Sequence, residues 1–266
     1  MMPADTMARL LEVLARHPAL VIAVSGGVDS MTLAHVAQRR AGGRVIMAHA
    51  CGPAVPLAAR DRVARHAQAH GWELRLLDAG EIDDPRYRAN PVDRCYFCKT
   101  NLYARLRGAF DGHAIASGTN VDDLGDFRPG LRAAAEHAVV HPYVEAGVDK
   151  AGVYALATAL GLADLERLPA QPCLASRVET GIAIVTDDLA FIDDVEARLA
   201  HALGPSAVLR CRVTHAGVVI ELGAQEAGAH AAARAVGEAA CERSGRRFAG
   251  VRAYRKGAAF LHETAR

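Results

Sequence analysis

Three of the six cysteines stand in polar stretches of the sequence, where a thiol is accessible for chemistry. Cys95 and Cys98 form a C-x-x-C pair within NPVDRCYFCK, and Cys173 lies within PCLASR. The C-x-x-C spacing occurs in disulfides, zinc sites, redox pairs and iron–sulfur clusters, so spacing alone does not choose among them. The other cysteines lie in or directly after predicted buried elements, where a thiol acts as a small apolar side chain: Cys51, Cys211 and Cys241.

Three kinds of chemistry suit the polar cysteines. Zinc prefers four ligands in a closed site, so a histidine or Cys51 would have to join the three thiolates. A [4Fe-4S] cubane held by three thiolates keeps one iron open, and that iron can bind sulfide. A persulfide relay carries sulfur on one cysteine and releases it when a second cysteine forms a disulfide. The remaining interpretation is three unrelated thiols.

Two cations are close to these cysteines in sequence. Lys99 follows Cys98 directly, and Arg177 ends the PCLASR stretch. They either neutralise an anionic cluster, bind the charges of a substrate, or remain solvated on the surface. We count Arg177 with the three cysteines as a candidate catalytic residue.

The stretch SGGVDS, residues 25–30, follows an apolar run and precedes a helical pattern. Glycines allow a tight turn that directs successive N–H groups at an anion, and the N-terminus of a helix adds positive potential. The stretch lacks the lysine of a Walker A loop and the spacing of a dinucleotide fingerprint. An ordinary glycine turn with a serine cap is the alternative. We predict a phosphate site made of Ser25, Gly26, Gly27, Asp29 and Ser30.

A second polar loop, GTNVDD at residues 118–123, follows another apolar strand. In open α/β sheets, ligands bind at the carboxyl ends of the parallel strands. We therefore expect Gly118 and Asp123 to join the phosphate site. A plain turn rich in Asn and Asp is the alternative interpretation.

Short apolar runs alternate with helical patterns through the first two thirds of the chain, which predicts a Rossmann-like α/β domain with a parallel sheet. We place a domain boundary after residue 183, giving domains of 1–183 and 184–266. The predicted helices are 5–16, 29–40, 58–70, 98–109 and 149–160. The first predicted strand follows His17, the others span 44–50, 73–80 and 113–118, and residues 122–130 are a loop.

The last third of the chain predicts a small α+β domain of order αββαβ. A helix runs from Thr186, as its cap, to Leu203. The strands AVLRCRV and VVIEL, a helix at about 225–241 and a strand at 246–255 follow. Arg210 and Arg212 alternate with apolar residues, so they either form a solvated strand face or bind a substrate phosphate, and we take Arg212 as the candidate.

Composition limits the classes of partner. The 266 residues suffice for one or two domains with a proper core. The 31 basic and 30 acidic residues balance, and no basic run tracks a phosphate backbone, which argues against nucleic acid as a partner. No stretch of about 18 apolar residues occurs, so we expect no membrane partner and a cytoplasmic location. Cysteines in that reducing compartment are more often thiols or metal ligands than disulfides.

S-G-G-x-D-S at the end of a first strand resembles the PP-loop of the ATP pyrophosphatases. Those enzymes split ATP between the α and β phosphates. A substrate oxygen attacks the α-phosphate, magnesium and pyrophosphate depart, and a nucleophile then displaces AMP. The resemblance implies that the five residues of the loop bind ATP or its Mg²⁺.

Longer stretches resemble the LarE family, sulfur transferases that build the nickel-pincer nucleotide cofactor of lactate racemase. They are DPRYRANPVDRCYFCKTNLY, SGTNVDDLGDFRPGL and PCLASR, and the resemblance covers most of residues 18–180. It implies a small-molecule nucleotide substrate, pyridinium-3,5-biscarboxylic acid mononucleotide, whose carboxylates become thiocarboxylates. It also implies a homo-oligomer and a [4Fe-4S] cluster on Cys95, Cys98 and Cys173. The source of the sulfide stays open.

Other functions remain as alternatives. Some members of the family sacrifice the sulfur of the cysteine at the Cys173 position and need no cluster. A PP-loop enzyme that thiolates tRNA would show a basic surface or an added RNA-binding domain. A PP-loop amidotransferase or synthetase that uses ammonia would need no cysteine, and a non-catalytic scaffold would release no AMP.

Overall fold

Two compact units make up the protein in a computed structural model, which describes residues 3–39, 43–125, 128–204 and 207–255. The first unit comprises the described residues of Met1–Glu81 and Cys95–Ala170. The second comprises those of Ile82–Arg94 and Gln171–Arg266. The division of the chain after residue 183 stays a prediction.

Helices alternate with strands along the first unit and follow the apolar periodicity of the sequence. The α-helices of the described residues are α1 (Pro3–Ala15), α2 (Val28–Gln38), α3 (Leu57–His70), α4 (Pro85–Arg88), α5 (Arg94–Ala109), α6 (Pro129–Glu136), α7 (Pro142–Glu145), α8 (Lys150–Ala159), α9 (Thr186–Leu203) and α10 (His230–Ser244). No helix among the described residues has both the length and the apolar character needed to cross a bilayer.

A four-stranded parallel sheet forms the centre of the first unit, in the order β3-β2-β1-β4. Its strands are β1 (Ala19–Ala23), β2 (Arg44–Ala50), β3 (Leu74–Leu77) and β4 (Ala114–Ala116). Val21 pairs with Ile46 on one side and Ile115 on the other, and all three are buried. Apolar packing on both faces is typical of a parallel sheet, and the predicted α/β class is confirmed. Because β1 and β4 are neighbours, the loops after them meet at one edge.

The second unit contains a three-stranded sheet in the order β5-β6-β7, covered by α9 and α10. Its strands are β5 (Leu209–Thr214), β6 (Gly217–Leu222) and β7 (Phe248–Ala253). β5 and β6 are antiparallel and form the predicted hairpin, whereas β6 and β7 are parallel. The observed order αββαβ confirms the prediction.

The segment 82–94 belongs to the second unit although the chain on both sides of it belongs to the first. Asn90 is fully buried, and its amide nitrogen donates to the carbonyls of Glu179 and Ile182 at 2.9 Å each. The backbone N–H of Ile184 donates to the carbonyl of Arg88 at 2.8 Å. These bonds tie the segment to residues about ninety positions later.

Several predicted boundaries were wrong. α5 begins at Arg94 rather than 98, and the predicted loop 122–130 contains a 3₁₀ turn at Val121–Gly125 and the start of α6, while residues 126 and 127 lie outside the described part. Thr186 is the first residue of α9 and not its cap, which is Val185. α10 begins at His230, after a 3₁₀ turn.

Candidate functional site

The loop between β1 and α2 is organised by its two serines. The Ser30 hydroxyl lies 3.0 Å from both the backbone nitrogen and the hydroxyl oxygen of Ser25, and it donates to the carbonyl of Gly27 at 3.2 Å. The backbone N–H of Gly27 donates to the Ser25 hydroxyl at 3.3 Å. Gly27 caps α2 and offers no side chain to the N–H groups of its first turn. The loop therefore presents hydroxyls and a helix N-terminus, as a phosphate site requires.

Two glycines are required by the geometry of this loop. Gly26 has φ of +83°, and a Cβ there would lie 2.7 Å from the carbonyl oxygen of Ala59 on α3. The buried side chain of Arg62, also on α3, donates to the carbonyl of Gly26 at 2.7 Å and holds the turn. A Cβ on Gly118 would lie 2.7 Å from the backbone nitrogen of Ser30, so the two predicted loops pack backbone to backbone.

Asp29 is the centre of a polar group at this edge of the sheet. Its carboxylate accepts a hydrogen bond from the Asn120 amide at 3.1 Å and pairs with the ammonium of Lys150 at 2.6 Å. The Tyr143 hydroxyl donates to its backbone carbonyl at 3.1 Å. Asp29 and Lys150 are each about one third exposed, so both remain accessible to a ligand. Lys150, in the first turn of α8, is therefore a cation beside the loop between β1 and α2.

Lys150 is a candidate site residue that sequence reasoning missed. It lies 121 residues after Asp29, and no local motif connects the two. The available signal was Asp149, which caps α8 by accepting from the backbone N–H of Gly152 and so marks where a helix begins at the edge of the sheet.

Asp123 lies in the second loop, as predicted, and its carboxylate orders that loop. It accepts from the backbone N–H of Asn120 at 3.0 Å and pairs with Arg128 at 2.7 Å. Nearby, the Ser117 hydroxyl lies 2.8 Å from Nδ1 of His141, whose pKa burial lowers. Asp123 therefore positions Asn120, which contacts Asp29, and its own contact with ATP stays a prediction.

Cys95 and Cys98 both lie inside α5, whereas the predicted helix began only at residue 98. They occupy the first two turns of the helix at positions i and i+3, which places both thiols on one face. Each side chain is half-buried, and neither forms a disulfide. α5 starts early because the backbone N–H of Arg94 donates to the carbonyl of Pro91, and because the Arg94 side chain binds the Asn90 amide oxygen.

Cys173 belongs to the second unit and precedes a 3₁₀ turn at Leu174–Arg177. Its thiol is half-buried and outside any disulfide. Arg177 is 2% exposed, pairs with Glu196 at 2.9 Å, and donates to the carbonyls of Pro172 and Cys173. The interpretation of Arg177 as a solvated cation was wrong, because the guanidinium is buried and fixes the backbone on both sides of the Cys173 peptide.

Arg212 is also buried, so the alternative interpretation of it as part of a solvated strand face was wrong. Its guanidinium pairs with the fully buried carboxylate of Glu221 at 2.5 Å and donates to the carbonyl of Ser176 at 3.0 Å. Glu221 accepts from Arg252 as well, at 2.9 Å. Arg212 thereby links β5 to the turn after Cys173, and its contact with a substrate phosphate stays a prediction.

The other cysteines differ from each other. Cys211 and Cys241 are buried, which confirms the prediction of small core residues, and burial raises the pKa of each thiol. Cys51 is half-buried at the end of β2, and burial raises its pKa too. These three thiols are therefore poor nucleophiles near neutral pH.

Comparison with known proteins places the chain among its relatives. No protein-family model matches it. It is 36% identical to the uncharacterized protein slr1717 of Synechocystis over 182 residues, which cover 67% of this chain and 68% of the relative. The chain belongs to the family of slr1717. It is also 26% identical over 184 residues to the uncharacterized protein MJ0830 of Methanocaldococcus jannaschii, covering 68% and 69% of the two chains.

A more distant relative of this family carries a functional name. The pyridinium-3,5-bisthiocarboxylic acid mononucleotide synthase of Lactiplantibacillus plantarum is 27% identical over 200 residues, covering 74% of this chain and 72% of the relative. This homologue supports the resemblance to the LarE family and suggests an enzyme that transfers sulfur. The residues of the site, and the cofactors, stay predictions.

Proposed function

We propose that the protein is an ATP-dependent sulfur transferase that converts the carboxylates of pyridinium-3,5-biscarboxylic acid mononucleotide to thiocarboxylates. The observation that carries the proposal is the 27% identity to a synthase named for the corresponding bisthiocarboxylate, across 74% of the chain. The serine loop before α2, with Asp29 and Lys150 beside it, supports the ATP-dependent part.

ATP would bind with its phosphates on the loop between β1 and α2. The Ser25 and Ser30 hydroxyls and the first N–H groups of α2 would donate to phosphate oxygens, as helix N-termini do. Asp29 would ligate the Mg²⁺ that bridges the phosphates, since carboxylate oxygens suit this ion. Lys150, released from Asp29, would neutralise the triphosphate. The described residues thus offer both an Mg²⁺ ligand and a cation at one edge.

ATP is needed because a carboxylate is a poor electrophile. A carboxylate oxygen of the substrate attacks the α-phosphorus, the bond to pyrophosphate breaks, and an acyl adenylate forms. A sulfur nucleophile then attacks the acyl carbon, and the carbon–oxygen bond breaks with AMP as the leaving group. The thiocarboxylate keeps the sulfur, and two rounds convert both carboxylates.

The sulfur would come from a [4Fe-4S] cluster on Cys95, Cys98 and Cys173. All three thiols are half-buried, and the first two share a helix face, which suits thiolate ligation. When bound, such a cluster supplies a nucleophilic sulfide at its open iron. Arg177 holds the Cys173 segment through the carbonyls on either side and is a positioning residue. Arg212 as a substrate contact and a homo-oligomeric state are further parts of the proposal.

The test is anaerobic purification followed by iron and acid-labile sulfide analysis and an assay of AMP and thiocarboxylate formation. About four irons per chain are expected for a cubane, with loss in Cys95→Ala, Cys98→Ala and Cys173→Ala. Cys51→Ala, which changes a half-buried thiol outside both motifs, is the matched control and should keep iron and turnover.

Two other results would change the proposal. Absence of iron after reconstitution, with one turnover and loss of the Cys173 sulfur by mass spectrometry, would replace the cluster with a sacrificial cysteine. Full sulfur transfer by Cys95→Ala would contradict the cluster mechanism, and absence of AMP release from the biscarboxylate would contradict the proposed reaction itself.

A further inference from the structure

The proposed reaction makes no use of three histidines that lie together in the first unit. His35 is on α2, and His66 and His70 are four residues apart at the end of α3, so both face the same side of that helix. One nitrogen from each ring lies within 4.8 Å of the other two. His35 and His66 are buried, whereas His70 is exposed.

Hydrogen bonds orient the central ring of this histidine cluster. Nε2 of His66 lies 3.0 Å from the carboxylate of Asp164, and Nδ1 lies 2.8 Å from Nε2 of His35. A carboxylate partner keeps the proton of His66 on Nε2, so the lone pair of Nδ1 points toward His35 and the cluster. Metal-binding histidines commonly have this carboxylate partner on the other ring nitrogen.

We propose that His35, His66 and His70 bind one divalent transition-metal ion that prefers imidazole, such as Zn²⁺. Tetrahedral Zn–N bonds of about 2.0–2.1 Å place ligand nitrogens roughly 3.3 Å apart, so the His35 and His66 nitrogens need to separate by only about 0.5 Å. His35 then carries its proton on Nδ1. Because His70 is exposed, the ion has an entry path. The three histidines leave the fourth coordination position to water.

The ion would join α2 to α3, the two helices that hold the phosphate loop. α2 begins at that loop, and Arg62 of α3 donates to the carbonyl of Gly26. His35 and His66 alone would be enough for a hydrogen bond between α2 and α3. The third ring nitrogen, from His70, is not needed for that bond but is needed for a three-histidine metal site. The inference does not depend on the proposed function.

The single tryptophan of the chain reports on the cluster. Trp72 is buried, and its ring lies 4.8 Å from the ring of His35 and 6.0 Å from that of His66, measured between centroids. Paramagnetic Co²⁺ at the cluster should quench its emission. We expect saturable quenching of the full, tag-free chain at one equivalent of Co²⁺, reversed by Zn²⁺.

Three variants make the test specific. His70→Gln changes an exposed side chain and should weaken Co²⁺ binding at least about tenfold, and Asp164→Asn should weaken it about 10- to 100-fold. His201→Gln, an exposed histidine in the last turn of α9, is the matched control and should bind as the parent does.

Because thiolates are also good ligands for transition-metal ions, binding is read from the emission of Trp72 and not from total bound metal. Emission that Co²⁺ leaves unchanged would overturn the proposal. Equal quenching of His70→Gln and the parent would overturn it too, as would quenching that disappears in Cys98→Ser.

Discussion

Replacing Gly118 with alanine tests whether the two loops at the carboxyl edge of the sheet form one phosphate site. The added Cβ would lie 2.7 Å from the backbone nitrogen of Ser30 and 2.9 Å from the carbonyl carbon of Asp29, where ordinary contacts are 3.4–4 Å. The loops must therefore separate by about 0.3 Å to reach 3.0 Å, below which real Cβ contacts essentially do not occur, and by about 0.7 Å to reach ordinary contact at 3.4 Å. All of the crowded atoms are backbone, so no flexible side chain can relieve the contact.

This separation has two measurable costs. Overpacking of this kind lowers the free energy of unfolding by about 1–3 kcal/mol. The serine hydrogen bonds of the loop are already 3.0–3.3 Å long, so a comparable shift at Ser30 breaks some of them. If phosphate binding loses a similar 1–3 kcal/mol, the Kd for ATP rises about 5- to 150-fold.

Calorimetric titration with Mg²⁺ and a non-hydrolysable ATP analogue measures the Kd, and thermal unfolding measures the stability. Gly108→Ala is the matched control, because Gly108 is an exposed glycine of α5 with nothing within 4 Å of an added Cβ. It should gain about 0.5–1 kcal/mol of helix stability and bind ATP as the parent does. A folded Gly118→Ala protein with an unchanged Kd would refute the joint site.

Three further predictions concern buried and half-buried charges. Lys150→Gln should raise the KM for ATP about 10- to 100-fold through loss of a charged hydrogen bond to phosphate. Lys150→Arg should return the KM most of the way to the parent value, and a KM for Lys150→Gln equal to that of the parent would exclude a phosphate contact. Burial raises the pKa of Glu81, so the parent loses stability as the pH rises above about 4.3 and through that raised pKa, because the unfolded carboxyl ionises first. Glu81→Gln should remove this loss, and an unchanged dependence of Tm on pH would contradict it. Glu221→Gln leaves Arg212 buried without a counter-charge and should cost about 3–5 kcal/mol, far more than Arg252→Gln at the exposed end of the same group, as thermal unfolding will show.

Local patterns predicted most of the elements and the turn at residues 25–30, whose role as a phosphate site stays a prediction. The apolar run before Ser25 and the glycines after it identify both β1 and the turn into α2, because strand, turn and helix start are encoded by neighbouring residues. The start of α5 was misplaced because the residues before Cys95 have a loop-like sequence. The Asn90–Arg94 contact and the Pro91 turn, which begin the helix there, form only in the folded protein. The start of α6 was missed because Pro129 lies in the predicted loop 122–130, although proline is favoured in the first turn of a helix.

The ion-pair partners of the candidate site residues could not be predicted from the sequence positions of those residues. For Arg177 and Arg212 a solvated surface position stayed open as an alternative, because their partners, Glu196 and Glu221, lie on other elements. Lys150 was missed for the same reason, since Asp29 is 121 residues away. Pairing across elements depends on tertiary structure, and one sequence carries no signal for it beyond the caps that mark helix starts.

Residues 82–94 are synthesised well before the residues that they contact in the second unit. This segment leaves the ribosome early, but the carbonyls that accept from the Asn90 side chain belong to residues 89 and 92 positions later. At about 5–20 residues per second, it waits roughly 5–20 s for those partners. Neither compact unit is a continuous stretch of chain, so a fragment that ends at residue 170 keeps the first unit but leaves Asn90 without its acceptors. Expression of the first unit alone therefore requires excision of residues 82–94, and expression of the second unit alone requires their fusion to the residues from 171 onward.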